Sequence, residues 1–181
     1  MAQCDDIANL DLAALRIIRY PDPRLQQPGQ PVETVDAALG ALAGRMFELM
    51  AAARGVGLAA PQVGLSLRLF VACPTGDPSD RRVYVNPTLL ELSGQMDEEE
   101  GCLSVPGVTC RLKRSSRVTI EATDLSGQRF RETAEGMLAR IFQHETDHLD
   151  GRLILDRMGS IARLAHRRAI KDLREQFEES R

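Results

Sequence analysis

The pattern of apolar and polar positions predicts a mixture of helices and strands. In residues 34–53 apolar side chains recur at helical spacing, which predicts an amphipathic helix. Alternating stretches at 67–73 and 83–87 predict two strands, and residues 117–122 and 128–133, joined by a glycine-containing turn, predict a hairpin. The pattern therefore indicates a domain in which an early helix serves as scaffold for several short strands.

Further segments complete the predicted elements. Residues 15–20 alternate well enough for a short strand that ends at a proline turn. From residue 135 to Gly151, apolar side chains at helical spacing predict a central buried helix, with Gly151 as its stop signal. Residues 160–178 predict a charged terminal helix, and the acidic run at 97–100 is expected on the solvated surface.

The central helix carries the motif H-E-x-x-H at His144, Glu145 and His148. Positions i and i+4 share one helical face about 5–6 Å apart, so the two imidazoles can reach one metal ion. Glu145 leaves the helix about 100° round from His144 and cannot join the same ligand shell squarely. It can instead hold a proton from a metal-bound water, which makes it the candidate general base. A solvated polar turn is the alternative interpretation, and the motif favours a metal site.

A catalytic site of the zinc type needs a third protein ligand beside an open position for water. The extended metzincin pattern would place a histidine at position 154, where the chain has Ile154. His166 is the remaining histidine and a weak candidate, because it lies on a highly charged helix. Downstream carboxylates are conceivable ligands: Glu175, Glu178 and Glu179. The other candidates are four cysteines that form no C-x-x-C pair: Cys4, Cys73, Cys102 and Cys110.

Composition is that of an ordinary globular protein. With 181 residues, 43% apolar residues and a net charge of −3, residues 1–181 are expected to form a single domain. Aromatic residues make up only 4% and tryptophan is absent, so stacking platforms for nucleic acid are not evident and DNA is not an expected partner. The amino terminus lacks a signal-peptide layout and no apolar run approaches a membrane span. A cytoplasmic protein with reduced thiols and no membrane contact is therefore expected.

Two glycine-containing stretches lie outside the predicted helices. Residues 55–64 form a loop of small residues in which Gln62 is the one long polar side chain. A phosphate-binding interpretation fails because no Lys-Ser/Thr pair follows, and a glycine-hinged connection is the simpler one. Cys102 stands between Gly101 and Leu103, and taken alone it could be a small buried hydrophobic residue.

Three stretches together resemble the signature motifs of the peptide deformylase family, in that family's order: residues 55–62 (GVGLAAPQ), 100–104 (EGCLS) and 143–148 (QHETDH). The resemblance extends over most of the chain. It implies an α+β fold with antiparallel strands packed around the metal-binding helix, a helix in the amino-terminal half and a carboxyl-terminal helix. It also implies that Cys102 joins His144 and His148 as the third metal ligand.

The activity implied by the resemblance is hydrolysis of the formyl group from N-formylmethionine at the start of newly made proteins, with release of formate. One divalent metal ion is implied, Fe(II) in the native enzyme, with zinc, nickel or cobalt able to occupy the site. A metal-bound water would attack the formyl carbon while Glu145 takes its proton and delivers it to the leaving nitrogen. By resemblance, the Gln62 amide and the Leu103 backbone N–H stabilise the developing oxyanion.

Substrate recognition is expected in a groove that a peptide backbone can approach closely. Gly57 and Gly101 suit such a groove because they present no side chain. Three apolar residues are candidates for the methionine pocket, although each could equally be plain core: Val56, Met137 and Ile141. The chain departs from the resemblance at Thr109, where many family members have an arginine, and this bears on how the substrate is anchored.

Two alternatives to a deformylase stay open on the sequence alone. A zinc endopeptidase would use the same motif, and a non-catalytic metal- or peptide-binding module would use the same fold. The expected partners are formylmethionyl nascent peptides. The basic terminal helix is a candidate ribosome contact, and the protein is expected to be a monomer.

Overall fold

A computed structural model describes residues 7–179, so Cys4 lies outside the described part of the chain. Its strands pair antiparallel throughout, in a five-stranded sheet of order β1-β2-β3-β6-β7 and a two-stranded sheet of β4 and β5. The strands are β1 (Gly57–Ala59), β2 (Leu69–Ala72), β3 (Arg82–Ser93), β4 (Met96–Gly101), β5 (Thr109–Arg114), β6 (Arg117–Thr123) and β7 (Arg129–Glu135).

The α-helices are labelled in chain order. They are α1 (Ala37–Ala52), α2 (Gly136–Leu149), α3 (Ile154–Arg157), α4 (Ser160–Ala165) and α5 (Arg167–Glu179). Helix α1 begins where the Asp36 side chain accepts a hydrogen bond from the Leu39 backbone N–H at 2.9 Å, a typical amino-terminal cap.

The first strands of the large sheet lie between α1 and α2. Leu69 and Val71 of β2 pack into the apolar cluster that contains α1. The alternate residues Phe70 and Ala72 pack into the cluster that contains Phe142 of α2. Successive side chains of a strand point to opposite faces, so β2 is buried on both sides and reads as a continuous apolar run. Helix α2 is therefore held against the sheet at the centre of the molecule.

The α+β architecture predicted from the sequence is confirmed, with three corrections to its elements. Residues 55–64, expected to be a loop, contain β1 and a short 3₁₀ helix at Ala60–Val63. Residues 15–20 form no ladder with a neighbouring strand. Instead their extended backbone is held by loops, through hydrogen bonds from the Ile18 N–H to the Gln62 carbonyl and from the Tyr20 N–H to the Ser104 carbonyl, both 2.8 Å. Alternation alone could not distinguish a strand from an extended segment of this kind.

The predicted terminal helix at 160–178 is interrupted at His166 and forms α4 and α5. The interruption lets α5 bury Ile170 and Leu173, whereas Ile161 and Leu164 of α4 are 85% and 69% exposed. Among residues 7–179, no helix combines the length and the apolar character that a membrane crossing requires.

Candidate active site

Helix α2 places the three motif residues deep in the molecule. His144, Glu145 and His148 are 9%, 3% and 1% exposed, and the two imidazole rings lie with their centroids 4.9 Å apart. Burial lowers the pKa of His148 well below its usual range, which favours the neutral imidazole that binds metal ions. The predicted pairing of the two histidines on one helical face is therefore present.

Cys102 follows the last residue of β4 and completes a potential ligand set. Its Sγ lies 3.2 Å from the His148 Nε2 atom, and the ligand atoms of Cys102, His144 and His148 all lie within 4.8 Å of one another. Ligand atoms that each lie about 2.0–2.3 Å from one ion are at most about 4.6 Å apart, so these three atoms are at or near the spacing that a shared ion requires. Within residues 7–179 this is the one group of three such side chains, and neither His166 nor the terminal glutamates belong to it. Thiolate and imidazole donors suit zinc, iron and other divalent transition metals.

Glu100 is the residue that the sequence prediction misplaced. The acidic run was expected on the surface, but Glu100 is 7% exposed and its Oε1 atom lies 2.6 Å from the His144 Nδ1 atom. Arg114 and Arg140 donate to the same carboxylate at 2.6–3.1 Å. Burial alone would raise the pKa of Glu100, but the hydrogen bonds from His144 and Arg114 outweigh it and hold the pKa well below its usual range. The carboxylate is thus ionised and turns the other nitrogen of His144 towards the ligand set.

A second buried carboxylate, that of Asp147, binds the same Arg114 that donates to Glu100. Asp147 of α2 accepts a hydrogen bond from the Arg114 Nη1 atom at 2.6 Å and from the Arg157 Nε atom at 3.1 Å. Arg114 and Asp147 are both nearly fully buried. Two local signals exist in the sequence: side chains alternate along β4, and Asp147 follows His144 at i+3 on the helix. Neither signal shows which residue of another element pairs with these carboxylates. This ion-pair network could therefore not be predicted from local sequence patterns.

Glu145 faces the groove beside the ligand set. Its Oε2 atom is buried and has no hydrogen-bond partner within residues 7–179. Burial raises the pKa of Glu145 to about 7, although the nearby His144 partly offsets the rise. A Cβ atom at Gly57 would lie only 2.3 Å from the Glu145 Oε1 atom, so the absent side chain at position 57 is a requirement of the site.

The Gln62 side chain is held with its amide directed at Cys102. Its Oε1 atom accepts a hydrogen bond from the Ala59 backbone N–H at 2.8 Å. Its Nε2 atom lies 3.3 Å from the Ser104 Oγ atom and 3.7 Å from the Cys102 Sγ atom. Because the carbonyl end is engaged by the backbone, the amide presents its N–H groups to the ligand set.

A groove of about 380 Å³ opens onto these residues. Strand β1 lies at the end of its sheet and β4 pairs with β5 alone among the described strands, so each presents a free edge, and Gly57 and Gly101 line the groove from these two edges. The three predicted pocket residues also line it: Val56, Met137 and Ile141. Leu103 and Thr109 line the groove as well, whereas His148 is not among its lining residues.

A buried H-E-x-x-H helix with a cysteine at its side, at the floor of a groove, defines the class of metal-dependent hydrolases. The comparisons with known proteins narrow this class. The sequence profile of the polypeptide deformylase family matches residues 14–164. The chain belongs to this family, and the predictions of a hydrolase and of peptide deformylase activity are confirmed.

Similar proteins support the assignment at the level of sequence and of fold. The chain is 45% identical over 153 residues to the peptide deformylase of Pseudomonas aeruginosa, covering 84% of this chain and 91% of that protein. It is 44% identical over 149 residues to that of Acidobacterium capsulatum, covering 81% and 88%. A plant peptide deformylase structure matches with a TM-score of 0.89 at 39% identity, covering 92% of each chain. A Legionella pneumophila peptide deformylase structure matches with a TM-score of 0.84 at 43% identity, covering 91% and 98%.

Proposed function

We propose that this chain removes the formyl group from N-formylmethionine at the start of newly synthesised proteins and that Cys102, His144 and His148 hold the metal ion it needs. The observation that carries the proposal is the Cys/His/His cluster beside the buried Glu145 at the floor of the groove. A divalent ion bound there supplies Lewis-acid charge, which lowers the pKa of a water molecule and polarises the formyl oxygen.

Glu145 moves the proton in this proposal. It takes a proton from the attacking water and delivers it to the nitrogen of the leaving amine. A carboxyl whose pKa is raised by burial to about 7 suits both directions of transfer near neutral pH. The unpartnered Oε2 atom leaves a free acceptor for the water proton.

Gln62 and Leu103 stabilise the oxyanion that forms on the formyl oxygen. The Gln62 amide donates from its Nε2 atom, which points towards Cys102, and Leu103 donates from its backbone N–H one residue after that ligand. Because the Ala59 N–H holds the far end of the Gln62 amide, the donor is already oriented before the charge develops.

Gln62→Ala is therefore expected to lower kcat by about 10²–10³-fold, the usual cost of removing one oxyanion donor. Bound metal should stay near the level of the parent protein, because Gln62 is not among the ligands. Steady-state kinetics on formyl-Met-Ala-Ser beside metal analysis tests this, with Gln128→Ala in the exposed β6–β7 turn as control. An unchanged kcat would remove Gln62 from the oxyanion site.

The groove accepts the substrate as an extended peptide. The free edges of β1 and β4 offer backbone hydrogen-bonding groups on both sides, and Gly57 and Gly101 leave room for a main chain between them. Val56, Met137 and Ile141 provide the apolar surface for the methionine side chain. Substrate peptides would thus lie across the metal site with the formyl group next to Glu145.

Glu100→Gln is expected to lower the affinity for the metal ion by about 10–100-fold. The amide keeps the size of the carboxylate but loses the charge that orients His144 and balances Arg114 and Arg140. Competition with a chromophoric chelator measures the affinity. Glu99→Gln on the same strand is the matched control because Glu99 is exposed; equal affinities in the two variants would contradict the role given to Glu100.

The native ion is proposed to be Fe(II), with zinc, nickel and cobalt able to replace it. The first experiment is deformylation of formyl-Met-Ala-Ser by anaerobically purified protein, with bound metal measured on the same sample. We expect turnover that follows iron occupancy, disappears with a chelator and declines in air, because iron and Cys102 can both be oxidised. Full metallation without turnover would favour a binding module, and digestion of casein without deformylation would favour an endopeptidase.

We further propose that residues 1–181 work as a single catalytic domain, as a monomer in the cytoplasm.

We also propose that α5 contacts the ribosome. Arg167 and Arg168 are exposed at the start of α5. Arg167→Gln/Arg168→Gln should reduce co-sedimentation with ribosomes at low salt, since phosphate contacts are electrostatic. The control Arg129→Gln/Arg131→Gln removes the same charge from β7, and equal sedimentation of the two variants would discard the contact.

A further inference from the structure

A small side cavity of about 270 Å³ adjoins the substrate groove. The segment Arg54–Val56 lies between the two spaces, because these three residues line both of them. On the far side the cavity is bounded by Phe47 and by the loop before β3, which includes Arg81. The cavity therefore adjoins the groove at the segment just after α1, and Arg54 borders both.

The cavity carries positive charge without compensation. Arg54 and Arg81 are its charged lining residues, and no carboxylate lines it. Both arginines are exposed, and neither has an ion-pair partner within residues 7–179. Arg81 lies over the Phe47 ring at 5.1 Å from its centroid, which holds the guanidinium at the cavity wall.

The carboxylates of the neighbouring loop are already engaged. Asp80 accepts hydrogen bonds from Arg82 at 2.8 Å and from Thr75 at 3.0 Å. Asp77 accepts from the backbone N–H and the hydroxyl of Ser79, both at 2.8 Å. None of these hydrogen bonds involves Arg54 or Arg81, whose guanidinium groups therefore stay available to a ligand.

The backbone of Arg54 has an unusual left-handed conformation, which is a second observation independent of the charge. Arg54 has a φ of +57° directly after the end of α1, and its N–H donates to the Ala51 carbonyl at 3.0 Å. Glycine is the usual residue at such a position because a side chain is strained there. An arginine that keeps this strained conformation at the mouth of the groove points to a role for its side chain.

We propose that Arg54 and Arg81 form a subsite for an acidic side chain in the residues that follow formylmethionine. This rests on the proposed function. Because the formyl group is the amino-terminal end of the substrate, no residue precedes it, and the chain that extends from the groove is the downstream peptide. A carboxylate there meets two guanidinium groups, which bind carboxylates in a planar, paired geometry.

The test is the ratio of kcat/KM values for matched pairs of peptides. Formyl-Met-Asp-Ser-amide is compared with formyl-Met-Asn-Ser-amide, and formyl-Met-Ala-Asp-amide with formyl-Met-Ala-Asn-amide. An exposed ion pair gives a factor of up to about five. Because two arginines line the cavity, the wild-type enzyme should prefer aspartate by about threefold to fivefold in at least one pair. The preference should fall towards one at about 1 M salt, where screening is strong. Formyl-Met-Ala-Ser as free acid and as amide shows whether a terminal carboxylate can replace the side chain.

Three variants assign the preference to the cavity. Arg81→Gln and Arg54→Gln should each reduce the Asp/Asn ratio, and the double variant should bring it to about one. Arg152→Gln removes the same charge from an exposed arginine that lines neither space, and should keep the wild-type ratio. A wild-type ratio of one in both pairs, or an unchanged ratio in the double variant, would overturn the subsite.

The neutral peptides separate this proposal from the proposed function. Turnover of the asparagine peptides by the metal-loaded enzyme supports deformylation whatever the Asp/Asn ratio is. A metal-loaded protein that turned over none of the peptides would overturn the proposed function and the subsite together.

Discussion

Glu145→Gln is expected to lower kcat for formyl-Met-Ala-Ser by about 10²–10⁴-fold while the protein still binds its metal ion. Glutamine has the same shape, so it fits the narrow space beside Gly57, but it cannot accept the proton of the attacking water. The Glu145 Oε2 atom has no hydrogen-bond partner within residues 7–179, so the substitution breaks no hydrogen bond at that atom. Steady-state kinetics and metal analysis on one preparation measure both quantities.

The control for this prediction is Glu48→Gln. Glu48 is exposed on α1 and forms an ion pair with Arg45 at 2.8 Å, so its replacement removes the same charge far from the groove. It should retain the activity of the parent protein. If Glu145→Gln kept kcat within a few-fold of the parent, another group would have to move the proton, and the role assigned to Glu145 would be wrong.

The helix that carries the H-E-x-x-H motif was predictable because its signals are local. Apolar spacing and the stop at Gly151 predict a buried helix, and α2 occupies Gly136–Leu149. The two histidines share a face as a direct result of helical geometry. The early helix was also predicted well, since α1 spans Ala37–Ala52 within the predicted range of 34–53.

The third ligand and its support were not predictable from periodicity. Cys102 lies on another segment from His144 and His148, and only the resemblance to a family indicated it. The acidic run was expected in water because four adjacent charges are usually solvated. In the structure, strand alternation and three partners from other elements bury Glu100 instead: Arg114, Arg140 and His144. Such pairing depends on the tertiary fold, which no local pattern contains.

The strands were predicted only in part, again because pairing partners lie on other segments. The hairpin of β6 and β7 was predicted closely because its turn residues lie between two alternating runs. Strand β3 extends to Ser93, beyond the predicted end at 87, since pairing with β6 continues through two irregularities in register. Residues 15–20 have strand-like alternation but contact loops. Pairing partners therefore decided what alternation alone left open.

Cys102→Ser is expected to lower the metal affinity by more than about 100-fold, a larger effect than that of losing a supporting residue such as Glu100. A serine hydroxyl is a harder and less acidic donor than a thiol, so it does not replace the thiolate that soft and borderline metals prefer. Turnover should fall in parallel with bound metal. The increase in melting temperature that added metal gives the parent protein should also shrink, because binding to the folded state alone stabilises it.

The matched control is Cys73→Ser, the same substitution at a buried thiol that packs in the apolar cluster containing α1 and is not one of the grouped ligand residues. The Cys73 Sγ atom lies 3.2 Å from the Asp77 carbonyl oxygen, a contact that a serine hydroxyl can also make. It should bind metal like the parent, so a defect confined to Cys102→Ser reports the ligand rather than the loss of any thiol. Unchanged metal content and activity in Cys102→Ser would remove Cys102 from the ligand set. His144 and His148 would then need a third donor from outside the group that residues 7–179 bring together.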